Sequence, residues 1–309
     1  MLRTILYVGA AMTLAYFPPS AAQPAPQAQS AATAPAAPAT VDADPALWVV
    51  KDEDTTIYLF GTVHVLKPGL SWFDEAVKTS FDKSDEVVLE LVMPTEQEAQ
   101  QAVAARAVNP TGPSLTEKIP ADKREAFVKA LASLGIPAAG LDRVDPWFAA
   151  TTLSMVSTMK SGYQPNAGAE MVISAAAKQA NKPVVGLETL DEQLGFFDSL
   201  PEAAQIELLN ATVEQLPEIA TFTENLVNTW AAGDAEALGT IINDALRESP
   251  EVSKAILNDR NERWASWINT RLEKPGTVFI AVGAGHLAGP DSVQVKLSPY
   301  KVKAERIKY

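Results

Sequence analysis

Two runs of strand-type residues, TIYLF at 56–60 and TVFIAV at 277–282, lie more than 200 residues apart and leave the strand in the same way. Each meets a glycine, and the third residue beyond that glycine is a histidine: Gly61-Thr62-Val63-His64 near the start, Gly283-Ala284-Gly285-His286 near the end. The 309 residues contain only these two histidines, so every imidazole in the chain occupies one repeated setting. A glycine directly after a strand lets the backbone turn sharply or approach another group closely.

Two further apolar runs carry an acid at their end: EVVLEL at 86–91 holds Glu90, and PVVGLE at 183–188 stops at Glu188. Ligands of open α/β sheets bind outside the carboxyl ends of the strands. If these four strands run parallel and adjacent, His64, Glu90, Glu188 and His286 gather along one rim. Around them, ALWVV and TIYLF flank KDEDT as a β-hairpin. SWFDEAVKTSFDKSD places Trp72, Phe73, Ala76, Val77 and Phe81 at helical spacing. From Pro94 to about Glu273 the pattern is helical, punctuated by Pro120, Pro137, Pro146, Gly162 and Gly168 and interrupted by the strand at 183–188. Two late strands are expected around SVQVKL and YKVKAERI. The fold class is therefore α/β: a central mixed β-sheet with flanking helices and a largely helical insertion, in one domain over residues 45–309.

The N-terminal residues cannot belong to that core. MLRTILYVGAAMTLAYFPPSAAQ has one arginine, a short apolar stretch and then small residues, the form of a signal peptide over residues 1–22. Residues 23–44 are mostly Ala, Pro, Gln and Ser, and bury too little apolar surface to offset chain entropy, which reads as a disordered linker. The expectation is an exported protein, periplasmic or secreted, with no membrane span once the signal is removed.

The absence of cysteine excludes disulfides, thiolate metal sites and cysteine nucleophiles. With a net charge of −13 and no Lys/Arg-rich run, nucleic acid is not an expected partner. Two imidazoles with one or two carboxylates form a nitrogen/oxygen ligand set suited to Mn, Co, Zn or Fe, with positions left open for water. No H-E-x-x-H and no G-x-S-x-G is present, and GAGHLAG lacks the spacing of a dinucleotide loop. Taken singly, either histidine also reads as a hydrogen-bonded structural residue. Glu170, in NAGAEMVI at a helix start, also suits the helix dipole, and Arg260, in NDRNERW, also reads as a solvated helix charge. Trp264 and Trp267 read as core.

On the stretches LWVVKDEDTTIYLFGTVHVLKPG, EVVLEL, DPWFAA, AAKQANKPVVGLETLDEQL, RNERWASWI and VFIAVGAGHLAGP, the sequence resembles the TraB/GumN family, with the Tiki proteins as relatives and the erythromycin-esterase and ChaN-like groups further off. The resemblance implies metal-dependent hydrolysis of a peptide or another small substrate, with His64, His286 and Glu90 as metal ligands. On that hydrolase reading Glu188 or Glu170 is the general base or a further ligand, and Arg260, where the family's basic residue maps, polarises a carbonyl or holds a developing oxyanion. The ChaN-like relatives imply the alternative, a non-enzymatic binder of metal or haem at the cell envelope.

Overall fold

The computed structural model describes residues 40–246 and 250–309. The expected signal peptide and the expected linker up to residue 39 lie outside the described residues. The end of that linker does not stay outside the fold: Val41–Asp42 pairs in parallel with Leu70–Ser71, the Asp44 N–H donates to the Ala231 carbonyl at 2.9 Å, and Ala43 is buried.

Six strands form the main sheet: β1 (Leu47–Lys51), β2 (Thr55–Thr62), β3 (Glu86–Leu91), β4 (Val184–Glu188), β5 (Gly276–Gly283) and β6 (Glu305–Ile307). Their order is β4-β3-β5-β2-β1-β6, with β4, β3, β5 and β2 mutually parallel and β1 and β6 antiparallel to their neighbours. The four apolar runs are therefore adjacent and run in one direction. The expected β1–β2 hairpin forms because the Asp52 carboxylate accepts from the Asp54 and Thr55 N–H groups and closes the turn.

Strands buried on both faces need apolar residues throughout. Along β5, Phe279 and Ala281 face one core and Val278, Ile280 and Val282 the other. The first core packs against α1 (Glu75–Lys83), where Phe60, Phe81, Trp72, Trp230 and Phe279 form a ring cluster with Phe60 stacked on Trp72 at 5.5 Å. A third core belongs to the helical insertion and draws on α2 (Pro146–Lys160), α4 (Leu190–Asp198) and α5 (Glu202–Gln215), with Trp147 of α2 stacked on Phe197 of α4 at 5.7 Å, whereas α3 (Ala169–Gln179) joins the first core through Ile173 and Ala177. Burying one such side chain contributes about 1.5–3 kcal/mol. The second face of the sheet is covered by α6 (Asp259–Arg271), through Trp264 and Ile268. Among the described residues, no helix is long and apolar enough to cross a membrane.

One late element differs from expectation. SVQVKL is a short helix, Val293–Lys296, not a strand: the Lys296 N–H donates to the Ser292 carbonyl at 3.0 Å, and Val293 is buried while Val295 is exposed. Of YKVKAERI only Glu305–Ile307 is a strand.

Candidate functional site

The parallel register sets the rim. β2 and β5 pair from Thr55 with Gly276 through Thr62 with Gly283, so the two G-x-x-H exits lie side by side. Their glycines have separate jobs. A Cβ on Gly61 would sit 3.0 Å from Ala284 Cα, so the first glycine lets the two exits pack backbone against side chain. A Cβ on Gly283 would sit 3.1 Å from Glu90 Oε1 and 3.6 Å from both His64 Nε2 and His286 Cδ2, so the second keeps open the space between the polar groups. Those two ring atoms are therefore no further apart than twice that distance.

Across the strand ends the order is Glu188, Glu90, His286, His64, each at most 6% exposed. Glu188 is held at a strand-to-helix junction. The next residue, Thr189, caps α4 in a capping box with Glu192, and Gln193 in the following turn donates to Glu188 at 3.2 Å and to Glu90 at 3.4 Å. On the other side of the rim, α3 docks its first turn on the first motif: the Ala169 N–H donates to the Val63 carbonyl at 2.9 Å, and a Cβ on Gly168 would overlap the His64 carbonyl oxygen. That docking brings Glu170 to His64, with Oε1 2.6 Å from Nδ1, and the Thr62 hydroxyl donates to the same oxygen. Oε2 of Glu170 is buried with no hydrogen-bond partner among the described residues.

Arg260 occupies the centre. It enters from the first turn of α6, just after a π-helical turn at Lys254–Asn258 closed by the Asp259 N–H on the Lys254 carbonyl. A π turn within an α-helix is often found at functional sites. Here the Ile256 carbonyl accepts from Arg260 Nη1 at 3.0 Å. Nε and Nη2 grip Glu188 at 2.9 and 2.7 Å, Nη2 also donates to Glu90 at 2.7 Å, and Nη1 donates to His286 Nε2 at 3.0 Å. All five guanidinium N–H groups thus have acceptors. The other nitrogen of His286, Nδ1, is 2.6 Å from Asn261 Oδ1, and Glu90 Oε1 accepts from the Gly283 N–H at 2.6 Å. Trp264 lies against both groups, its ring 4.3 Å from the imidazole and 4.7 Å from the guanidinium carbon, so this core residue is also a wall of the site. Arg263, half exposed, reaches Glu188 at 3.2 Å beside Phe196.

Electrostatics follow from burial and neighbours. Burial first, then the Arg260 cation and His64, hold His286 well below the ordinary imidazole value. Burial works against the ionised Glu170, but the neighbouring His64 and the hydrogen bonds from His64 and Thr62 outweigh it, and the carboxyl sits below its usual range. Burial likewise opposes the Arg260 cation, and Glu90 and Glu188 more than offset it.

The structure brings together all six residues singled out in the sequence: His64, Glu90, Glu170, Glu188, Arg260 and His286. The two acids offered as general base or further ligand have these contacts. Glu188 is bound to Arg260, Arg263 and Gln193, and Glu170 to His64 and Thr62. Sequence reasoning missed Asn261, Gln193, Thr62 and Arg263. Asn261 had one available signal, its place next to Arg260 in NDRNERW.

The protein is thus of the mixed α/β class, with four adjacent parallel strands whose ends bring two G-x-x-H exits to a buried Arg–carboxylate centre. The chain belongs to the TraB/PrgY/gumN family, whose model matches residues 46–306. It is 21% identical over 245 residues to the uncharacterized protein YbaP of Escherichia coli (strain K12), covering 79% of this chain and 89% of that protein. It is 22% identical over 267 residues to an uncharacterized protein of Treponema pallidum (strain Nichols), covering 80% of this chain and 78% of that one. No solved structure gives a significant match.

Proposed function

We propose that this chain is an exported metal-dependent hydrolase acting on a peptide or another small substrate, with His64, His286 and Glu90 holding a divalent Mn, Co, Zn or Fe ion. One observation carries the reading. Nδ1 of each imidazole is anchored, on Glu170 for His64 and on Asn261 for His286, while His64 Nε2 and Glu90 Oε1 converge beside Gly283. Histidines that bind metals through one ring nitrogen characteristically donate the other N–H to such an acceptor. The resemblance of the paired G-x-x-H motifs to the Tiki-type metalloproteases points the same way. Export rests on the signal-like and linker-like composition of residues 1–44.

The donor set fits an ion. His286 Nε2 and Glu90 Oε1 are 3.7 Å apart, a spacing open to two ligands with bonds of about 2.0–2.2 Å. Among the described residues, no three His, Asp or Glu side chains are already arranged as a metal cage. The contact that must yield is Arg260 Nη1 on His286 Nε2. When bound, such an ion supplies Lewis-acid activation of water near neutral pH. The chain's residues do the rest. Glu170 and Asn261 orient the rings, Glu188 fixes the Arg260 fork, and the Nη1–H now on His286 is the donor Arg260 has for a developing oxyanion.

A non-catalytic metal or haem binder is favoured by one observation: every N–H of Arg260 already has an acceptor. The test loads purified mature protein with Mn, Co or Zn and offers peptide and ester panels, alongside metal analysis of His64→Ala and His286→Ala. Joint loss of metal and cleavage in both variants supports the hydrolase. Cleavage at the wild-type rate by both variants ends it, and bound metal with no cleavage across the panels supports the binder.

A further inference from the structure

We infer that Asn261 is a positioning residue of this site: it holds the His286 ring through Nδ1 and so makes Nε2 the nitrogen that faces the rim. The consequence for metal affinity rests on the reading above; the ring geometry stands without it.

Two independent contacts assign the same proton. Arg260 has only donors, so at the 3.0 Å contact His286 Nε2 must accept. The ring proton then sits on Nδ1, 2.6 Å from Asn261 Oδ1. The amide orientation is fixed from its other end, because Asn261 Nδ2 donates to the Asp291 carbonyl at 2.7 Å, which only the nitrogen can do. Asn261 is 0% exposed, so water is not available to replace either bond. Consecutive residues in the first turn of α6 thus grasp opposite nitrogens of one imidazole, and Trp264, a turn later, covers its face. Asn261 does for His286 what Glu170 does for His64.

The test uses metal-free mature protein with 15N-labelled histidine. Two histidines give two ring spin systems, and His286→Gln assigns them. The wild type should show His286 as the Nδ1–H tautomer, with a slowly exchanging downfield Nδ1–H resonance. Asn261→Leu should lose that resonance and weaken Co2+ binding, read by visible absorption, about 10–100-fold. Asn261→Asp, which retains an acceptor, should recover both. An Nε2–H tautomer in the wild type overturns the inference, as does wild-type Co2+ affinity in Asn261→Leu or an Asp variant as weak as Leu. Near-UV circular dichroism checks folding. If Asn261→Leu does not fold, the wild-type tautomer and the Asp variant decide. If the wild type binds no Co2+, the metal reading falls while the ring measurement still judges Asn261.

Discussion

Arg260 is the residue on which most of the buried charge depends. Its guanidinium lies between Glu90 and Glu188, and Arg263, a second cation beside Glu188, is half exposed. Removing one partner of a buried ion pair leaves an uncompensated charge and typically costs about 3–5 kcal/mol. Arg260→Ala should therefore destabilise the fold by that order, measured by urea unfolding, in addition to any effect on turnover. Arg260→Lys keeps the charge but offers three donors where five are used, and should fall between Ala and wild type. The His286 shift gives a second expectation. Its folded pKa is depressed, so below about 6.5 the unfolded chain takes up a proton that the folded chain refuses. Stability should be full above that pH and fall as pH drops below it, by at most about 1.4 kcal/mol per pH unit for this group. Glu170 is also depressed, so its contribution is lost lower, as pH falls below its ordinary value of 4.5. Urea unfolding of His286→Gln in chelator should show a shallower pH dependence in the upper window; an unchanged slope would remove His286 as its source. The importance of Arg260 was only half legible in the sequence, because NDRNERW reads as a solvated helix face and burial is a property of the assembled rim.

At the scale of elements, three glycines set the distances between strands and helix. Gly61 brings the two exits together, Gly283 leaves room for Glu90 and the histidines, and Gly168 lets α3 dock under His64. An added methyl at Gly61 meets backbone, which does not yield as a flexible side chain does, so Gly61→Ala should cost about 1–3 kcal/mol. Gly140 is the control, since its Cβ would make only ordinary contact with Ile136 at 3.4 Å, and Gly140→Ala should stay within about 0.5 kcal/mol. Chemical denaturation of the pair checks the contrast; equal costs would show that the exits can part without penalty. The strands were legible because apolar, β-branched runs stop abruptly at Gly or Glu. SVQVKL misleads because its alternation is that of a strand, and only the Lys296-to-Ser292 hydrogen bond and the burial of Val293 decide for helix. The capping box at Thr189 was readable as T-x-x-E, but not its use in fixing Glu188.

For the whole molecule, the rim is where distant parts of the chain meet. β2 and β5 come from opposite ends, and the insertion, with a core of its own, returns Glu188 and Arg260 to the same place. The proposed ligands His64, Glu90 and His286 follow or lie on three different strands, so the unfolded chain has no comparable site. A ligand that binds only the native state stabilises it by about 2.7 kcal/mol at a hundred times its Kd. On the metal reading, Mn, Co or Zn at that excess should raise the unfolding free energy of the wild type by this amount, and chelator should reverse it. His64→Ala and His286→Ala should lose the increment whatever their own starting stability, because the measured quantity is the difference with and without ion. The acidic surface, with net charge −13, collects cations nonspecifically, so the same titration with Mg2+ sets the background. An increment that survives in both histidine variants would assign the stabilisation to that surface and leave the rim to Arg260 alone.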